Sequence, residues 1–105
     1  MITQQIRRSL YANEKLGAAL AVLATHPGEI HQRVRWAVQE LQIVPPQFFP
    51  PDIADEVIRL REARDKWLRR KRRLATREAQ EAAQTIMRLY FEMRSRLEGA
   101  SDDSQ

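Results

Sequence analysis

The chain of 105 residues contains no cysteine, only three glycines and only seven aromatic residues. The absence of cysteine excludes a disulfide framework, a thiolate zinc site, an iron–sulfur cluster and a cysteine nucleophile. The shortage of glycine and aromatic residues leaves few turn and strand signals, which disfavours an all-β fold. The longest apolar run, residues 16–24, has nine residues, whereas a membrane-spanning helix needs about 20.

The composition is typical of one soluble globular domain, with 43% hydrophobic and 30% charged residues. Arg7, Arg8 and Lys15 precede the apolar run, as in a secretory signal, but the acidic Glu14 adjoins it, which favours an amphipathic helix. We therefore expect a cytoplasmic protein of prokaryotic or phage origin. Its 18 basic and 14 acidic residues give a net charge of +4.

Apolar residues recur at steps of three and four in four segments, which predicts four helices. Thr3 and Asp52 are the expected N-caps of the first and third helices. The small residue Gly17 is expected to let two helices approach closely. The predicted domain spans residues 1–98, with helices at about 3–25, 29–43, 53–73 and 76–98, followed by a disordered acidic tail at 99–105.

We expect the first two helices to form one hairpin and the last two another, joined by a proline-rich segment. Residues 44–51 contain four prolines together with Phe48 and Phe49, which predicts a stiff, extended connection whose two rings pack over one end of the bundle. Residues 72–76 either form a turn capped by Thr76 or continue the third helix into the fourth, and the change of phase of the apolar stripe favours the turn. The predicted fold is an all-α, four-helix up-down bundle.

Basic residues concentrate near the end of the third helix. Residues 66–77 contain seven basic side chains and no acidic one. At about 100° per residue, four basic positions of this helix fall within roughly 60° of one another, away from the apolar stripe. Arginine pairs well with phosphate oxygens, so this basic ridge predicts contacts to a nucleic-acid backbone, made by Arg59, Lys66, Arg69, Arg70, Arg73 and Arg77. The alternative is a solvated helix face.

Other residues point to a protein interface. Arg64 and Lys71 lie within the apolar stripe on either side of Trp67, where their stems either extend past the ring to water or meet a partner. Trp36 lies off the apolar stripe of the second helix. This position suits a ring that packs at the helix edge, anchors a partner or stacks on a base. Tyr90 and Phe91 are adjacent, so only one of their rings can face the core. The predicted partner-interface residues are Arg64, Trp67, Lys71, Trp36, Tyr90 and Phe91.

The polar residues show no catalytic or metal-binding pattern. His26 and His31 are five residues apart across a proline–glycine turn, which does not suit a metal pair on one helix. His26 is expected to act as a cation at the end of the first helix, and Asp52, Asp55 and Glu56 are explained by helix capping. We therefore expect no enzyme activity, no cofactor and no metal.

The function predicted from these patterns is that of a small, non-catalytic accessory or adaptor subunit of a larger complex. It would bind RNA or DNA through the backbone, using the basic ridge. The alternative is a protein–protein interaction module: a phage-encoded inhibitor, an adaptor or a self-associating helical bundle, with the arginines facing an acidic partner. A homo-oligomer is compatible with either function.

Overall fold

The computed structural model describes residues 3–69 and 75–103, which form four α-helices, one short 3-10 helix and no strand. This confirms the prediction of an all-α fold with four helices. The elements are α1 (Gln4–Thr25), α2 (Ile30–Gln42), the 3-10 helix (Pro46–Phe48), α3 (Pro51–Arg69) and α4 (Thr76–Asp103).

Helix α1 begins and ends at residues suited to those positions. The side chain of Thr3 accepts a hydrogen bond from the backbone N–H of Ile6 at 3.2 Å, which confirms the predicted N-cap. At the other end, the backbone N–H of His26 donates to the carbonyl of Val22 at 3.0 Å. His26 itself is extended, as expected for a residue that precedes a proline.

The proline-rich connection between α2 and α3 is ordered by its two phenylalanines. Pro45 has the extended geometry that was predicted, but the chain then turns through the 3-10 helix instead of remaining extended. Phe49 is buried in the core, and Phe48 packs edge-on against Tyr11 of α1, with ring centroids 5.9 Å apart. As predicted, both rings pack against the helices.

Helix α3 begins one residue earlier than its predicted cap. The backbone N–H of Ala54 donates to the carbonyl of Pro50 at 2.8 Å, so Pro51 occupies the first helical position, where the missing N–H of proline costs nothing. Asp52 therefore lies in the first turn and is not the N-cap. Its side chain is left available for a contact with α4.

Helices α3 and α4 are separate, because Ala75 is not helical. Its carbonyl accepts the N–H of Ala79 at 3.0 Å, so Ala75 precedes the helix and Thr76 is its first residue. The rest of the predicted turn, residues 72–74, lies outside the described residues. Helix α4 continues through Asp103, beyond the predicted end at residue 98, because Gly99 weakens a helix by only about 1 kcal/mol relative to alanine and does not end it.

The core is formed by one apolar stripe from each helix. Burial of a side chain the size of Leu or Ile stabilises the fold by about 1.5–3 kcal/mol, and Leu16, Leu41, Ile53, Ile86 and Leu89 are almost fully buried. Helix α1 packs against α2 and α4, and α2 packs against α3 and α4. Helices α3 and α4 make few contacts with each other. The molecule measures 49 × 23 × 18 Å, its length set by α4. Among the described residues, no helix combines the length and apolar character needed to span a membrane.

Candidate nucleic-acid interface

The described part of the basic ridge lies on the exposed face of α3. Arg59, Lys66 and Arg69 are all exposed, and none of them forms a hydrogen bond or ion pair with a residue in 3–69 or 75–103. No described carboxylate forms an ion pair with them, and a phosphate backbone can displace the counterions around such cations.

Every described arginine of α4, including Arg77 of the ridge, has a carboxylate partner, unlike the three ridge residues on α3. Arg94 donates to Glu98 at 3.1 Å, and Arg96 donates both to Glu92 at 3.0 Å and to Asp52 of α3. Arg88 pairs with Glu56 and Arg77 with Glu81. The positive charge of α4 is thus largely compensated within the molecule.

The acidic side chains of α3 precede its last basic ones along the chain. Helix α3 carries five acidic and five basic side chains, and Asp55 and Glu62 lie one turn before Arg59 and Lys66. From Lys66 onward the sequence has no acid until Glu78. Of this acid-free segment, the structure describes residues 66–69 and 75–77.

Three of the predicted site residues lie outside the part of the chain that the structure describes: Arg70, Lys71 and Arg73. Arg77, the predicted member on α4, is described. Its side chain is 91% exposed, and its pairing with Glu81 at 3.3 Å joins neighbours one turn apart. Such an exposed pair contributes at most about 0.5 kcal/mol, so Arg77 remains available to a stronger anion.

Arg64, which the sequence placed in the apolar stripe, turns toward α2. Its Nε donates to the carbonyl of Arg35 and one Nη donates to Oε1 of Gln39, both at 3.2 Å. This is the geometry of a long side chain that follows an apolar surface to reach polar groups. Trp67 is half-buried and packs against the core.

Sequence reasoning missed two arginines that bind the carboxyl ends of neighbouring helices. Arg61 donates to the carbonyls of Leu41 and Val44 at the end of α2, and partial burial lowers the pKa of its guanidinium. Arg33 donates to the carbonyl of Leu23 at the end of α1, at 3.0 Å. Cations stabilise the negative end of a helix. The sequence signal for Arg61 is its position directly after Leu60, which belongs to the apolar stripe of the third helix.

An open groove lies where α1 ends and α2 faces α3. Its volume is about 500 Å³, and it is lined by His26, Gln32, Arg35, Trp36, Gln39 and Arg64. None of these six lining residues is acidic. Residue Trp36 is 52% exposed, and the imidazole of His26 stacks on its ring, with centroids 6.0 Å apart and planes inclined by 26°.

His26, His31 and Asp52 each form contacts within the molecule. Nδ1 of His26 accepts the backbone N–H of Gly28 at 3.2 Å, so this nitrogen contacts the turn after α1 and not the last carbonyls of that helix. His31 lies 3.3 Å from Glu29. Asp52 is held by Arg96, whose hydrogen bonds lower the pKa of that carboxyl to about 2. The described residues contain no group of three or more potential metal ligands.

Tyr90 and Phe91 face different environments, as their adjacency predicted. Tyr90 is half-buried beside Gly17, where an added Cβ would lie 3.1 Å from the tyrosine ring, so Gly17 does permit a close approach of α1 and α4. Phe91 is 54% exposed, and Met87, one turn earlier, is 46% exposed. The two form a small apolar patch on α4.

Comparison of the chain with protein-family models, with curated proteins and with solved structures finds no match. Function is therefore inferred from the chemistry of these surfaces.

Proposed function

We propose that this protein is a non-catalytic, nucleic-acid-binding accessory subunit of a larger cytoplasmic complex. It binds RNA or DNA by the sugar–phosphate backbone, using the basic segment 66–77 at the end of α3. In the same proposal, the four helices have the up-down order of a bundle. The ion pairs of Arg96 with Asp52 and of Arg88 with Glu56 support this order. The earlier residue of α3, Asp52, meets the later residue of α4, and the later residue of α3, Glu56, meets the earlier residue of α4, as in antiparallel neighbours.

The observation that carries the proposal is the contrast between the two sets of exposed basic side chains. Lys66 and Arg69 have no partner among the described residues, while Arg88, Arg94 and Arg96 are paired with carboxylates. Cations that stabilise the fold are normally found with partners. Unpartnered basic side chains such as Lys66 and Arg69, which begin an acid-free stretch of sequence, suit binding of an external polyanion.

The experiment is a fluorescence-polarisation titration of labelled single-stranded RNA, single-stranded DNA and duplex DNA at two salt concentrations. We expect binding that persists at about 150 mM salt, with a salt dependence that corresponds to several neutralised phosphates. The double substitution Lys66→Glu and Arg69→Glu should abolish it. Circular dichroism should show that helicity is retained, since both side chains are exposed.

The matched control is Arg7→Glu with Arg94→Glu, which changes the net charge by the same amount. Arg7 lies 18 residues before the end of α1, about 27 Å along the helix, and Arg94 lies a similar distance from Arg77 on α4. The control should retain most of the affinity. If both double variants lose affinity equally, attraction to a generally basic protein explains the binding and the proposed site is wrong.

A second candidate function, a protein-interaction module, is favoured by the patch formed by Met87 and Phe91. Exposed aromatic and Met side chains are enriched at interfaces. Self-association would appear as a mass that rises with concentration in light scattering and falls on Phe91→Ser. Trp67→Ala is a less informative probe, because Trp67 packs against the core. If the protein is a strict monomer, an interaction module of this kind would have to bind a different protein.

A further inference from the structure

We propose that the groove lined by Trp36, Arg35 and Arg64 binds one nucleotide of a single strand, with the base stacked on Trp36 and the phosphate held by the arginines. This inference rests on the proposed nucleic-acid function and adds a base-dependent contact to a site so far described only by its charge.

The exposed indole supplies the stacking surface. Trp36 points away from the apolar stripe of α2, and the residue stays 52% exposed even with His26 stacked against it. His26 is itself fixed, because its Nδ1 accepts the N–H of Gly28. A large aromatic ring held by a second ring and open to solvent is the element that single-strand-binding proteins use to stack bases.

Two arginines line the groove, and one of them, Arg64, is held in place by hydrogen bonds. Arg64 spends two of its five N–H donors on the carbonyl of Arg35 and on Gln39, so three donors remain and the guanidinium is already oriented. Arg35 forms no hydrogen bond or ion pair through its side chain within the described ranges. A guanidinium fixed by its own protein loses little freedom when it pairs with a phosphate.

Gln32 and Gln39 complete the lining with amide groups that both donate and accept hydrogen bonds, which is what the polar edge of a base requires. The volume of about 500 Å³ falls within the range of roughly 300–1,000 Å³ that holds small organic ligands. The carboxylates of an acidic peptide would pair with the arginines but would not stack on the indole ring.

Arg64 of the groove lies on the same helix as Lys66 and Arg69. Arg69 follows Arg64 by five residues, about 7.5 Å along the helix and, at about 100° per residue, about 140° around it. A strand whose base occupies the groove would therefore pass around α3 to reach Arg69, and the groove is a contact distinct from the basic ridge.

The test uses Trp36 as its own reporter. In a Trp67→Phe variant with unchanged circular dichroism, Trp36 is the only tryptophan, and we expect a short single-stranded oligo(dT) to quench its emission. The wild-type protein should bind this strand more tightly than an abasic strand of equal length, which has the same phosphates and no bases. Trp36→Ala should weaken binding of oligo(dT) roughly tenfold, as loss of one stacked base does, and leave the abasic strand unaffected.

Two further variants serve as controls for indirect effects of the substitution at Trp36. Trp36→Phe keeps an aromatic ring and should restore most of the lost affinity, while Phe91→Ala removes an exposed ring elsewhere and should change nothing. The inference is overturned if oligo(dT) and the abasic strand bind equally, or if Trp36→Ala has no effect while Lys66→Glu with Arg69→Glu still abolishes binding; the proposed function then stands without the groove.

A nucleoside monophosphate and an oligoglutamate separate the remaining outcomes. If no strand binds at about 150 mM salt but the nucleoside monophosphate saturably quenches Trp36, the proposed function fails and the groove site is retained. If neither nucleotide nor strand quenches Trp36, the groove inference fails. Quenching by oligoglutamate equal to that by oligo(dT) also overturns it, because the site would then recognise negative charge of any kind.

Discussion

Arg96 of α4 holds Asp52 of α3 with two parallel hydrogen bonds, from Nη1 to Oδ1 at 2.9 Å and from Nη2 to Oδ2 at 2.5 Å. This two-pronged pairing fixes the geometry of both planar groups. It joins the first turn of α3 to the last third of α4, where the two helices otherwise make little contact. The hydrogen bond from Arg96 is the main reason why the pKa of Asp52 falls from 3.8 to about 2.

This pairing predicts a stability difference that depends on pH. A carboxyl whose pKa is lower in the folded protein stabilises the fold above its unfolded pKa of 3.8 and ceases to do so as the pH falls through about 2. Asp52→Asn should therefore lower the melting temperature at neutral pH. The difference from wild type should shrink as the pH falls from 3.8 to about 2, as measured by circular dichroism in low salt.

Asp55→Asn is the matched control, since Asp55 is exposed on the same helix and has no described partner. It should leave the melting temperature nearly unchanged over the same range. A difference for Asp52→Asn that stays constant down to pH 2 would contradict the role assigned to the ion pair.

The sequence predicted those features that depend on neighbours along the chain. Helical periodicity located all four helices, Thr3 was identified as a cap from its position before an apolar pattern, and Gly17 as a site of close approach from its small size. Each of these depends on local backbone preference or on a single helix face.

Contacts between helices were not predictable in the same way. Asp52 and Arg96 are 44 residues apart, and nothing in the local pattern distinguishes a capping aspartate from one bound by a distant arginine. The groove beside Trp36 requires residues from α2, from α3 and from the turn after α1 together. Sequence periodicity defines a face for each helix but does not define which faces meet.

A second prediction concerns Arg61, which donates to the carbonyls of Leu41 and Val44 at the end of α2. Arg61→Met keeps an apolar stem of similar volume but leaves these carbonyls without their charged donor. Because hydrogen bonds to charged groups contribute about 1.5–3 kcal/mol, we expect a loss of that size in urea unfolding. Arg59→Met, an exposed change two residues earlier, should alter stability by less than about 0.5 kcal/mol.

A third prediction concerns the apolar patch on α4. Phe91→Gln removes an exposed ring and should change the free energy of unfolding by less than about 0.5 kcal/mol, whereas Leu89→Ala, a buried neighbour on the same helix, should cost about 2–5 kcal/mol. Urea unfolding measures both. A large loss for Phe91→Gln would mean that the ring is covered in solution, and light scattering on the same samples would show whether a second copy covers it.

The contact between Gly17 and Tyr90 predicts that one substitution has different effects at two glycines. Alanine in place of a helical glycine stabilises a helix by up to about 1 kcal/mol where space allows. Gly99 has no atom within 4 Å of an added Cβ, so Gly99→Ala should stabilise the protein. At Gly17 the new methyl group would lie 3.1 Å from Cε1 of Tyr90, and the ring must move, so Gly17→Ala should gain less or lose stability. In a Tyr90→Leu background the steric conflict is removed, and Gly17→Ala should then stabilise. Equal gains at both positions in the wild-type background would show that α1 and α4 are not held at this distance.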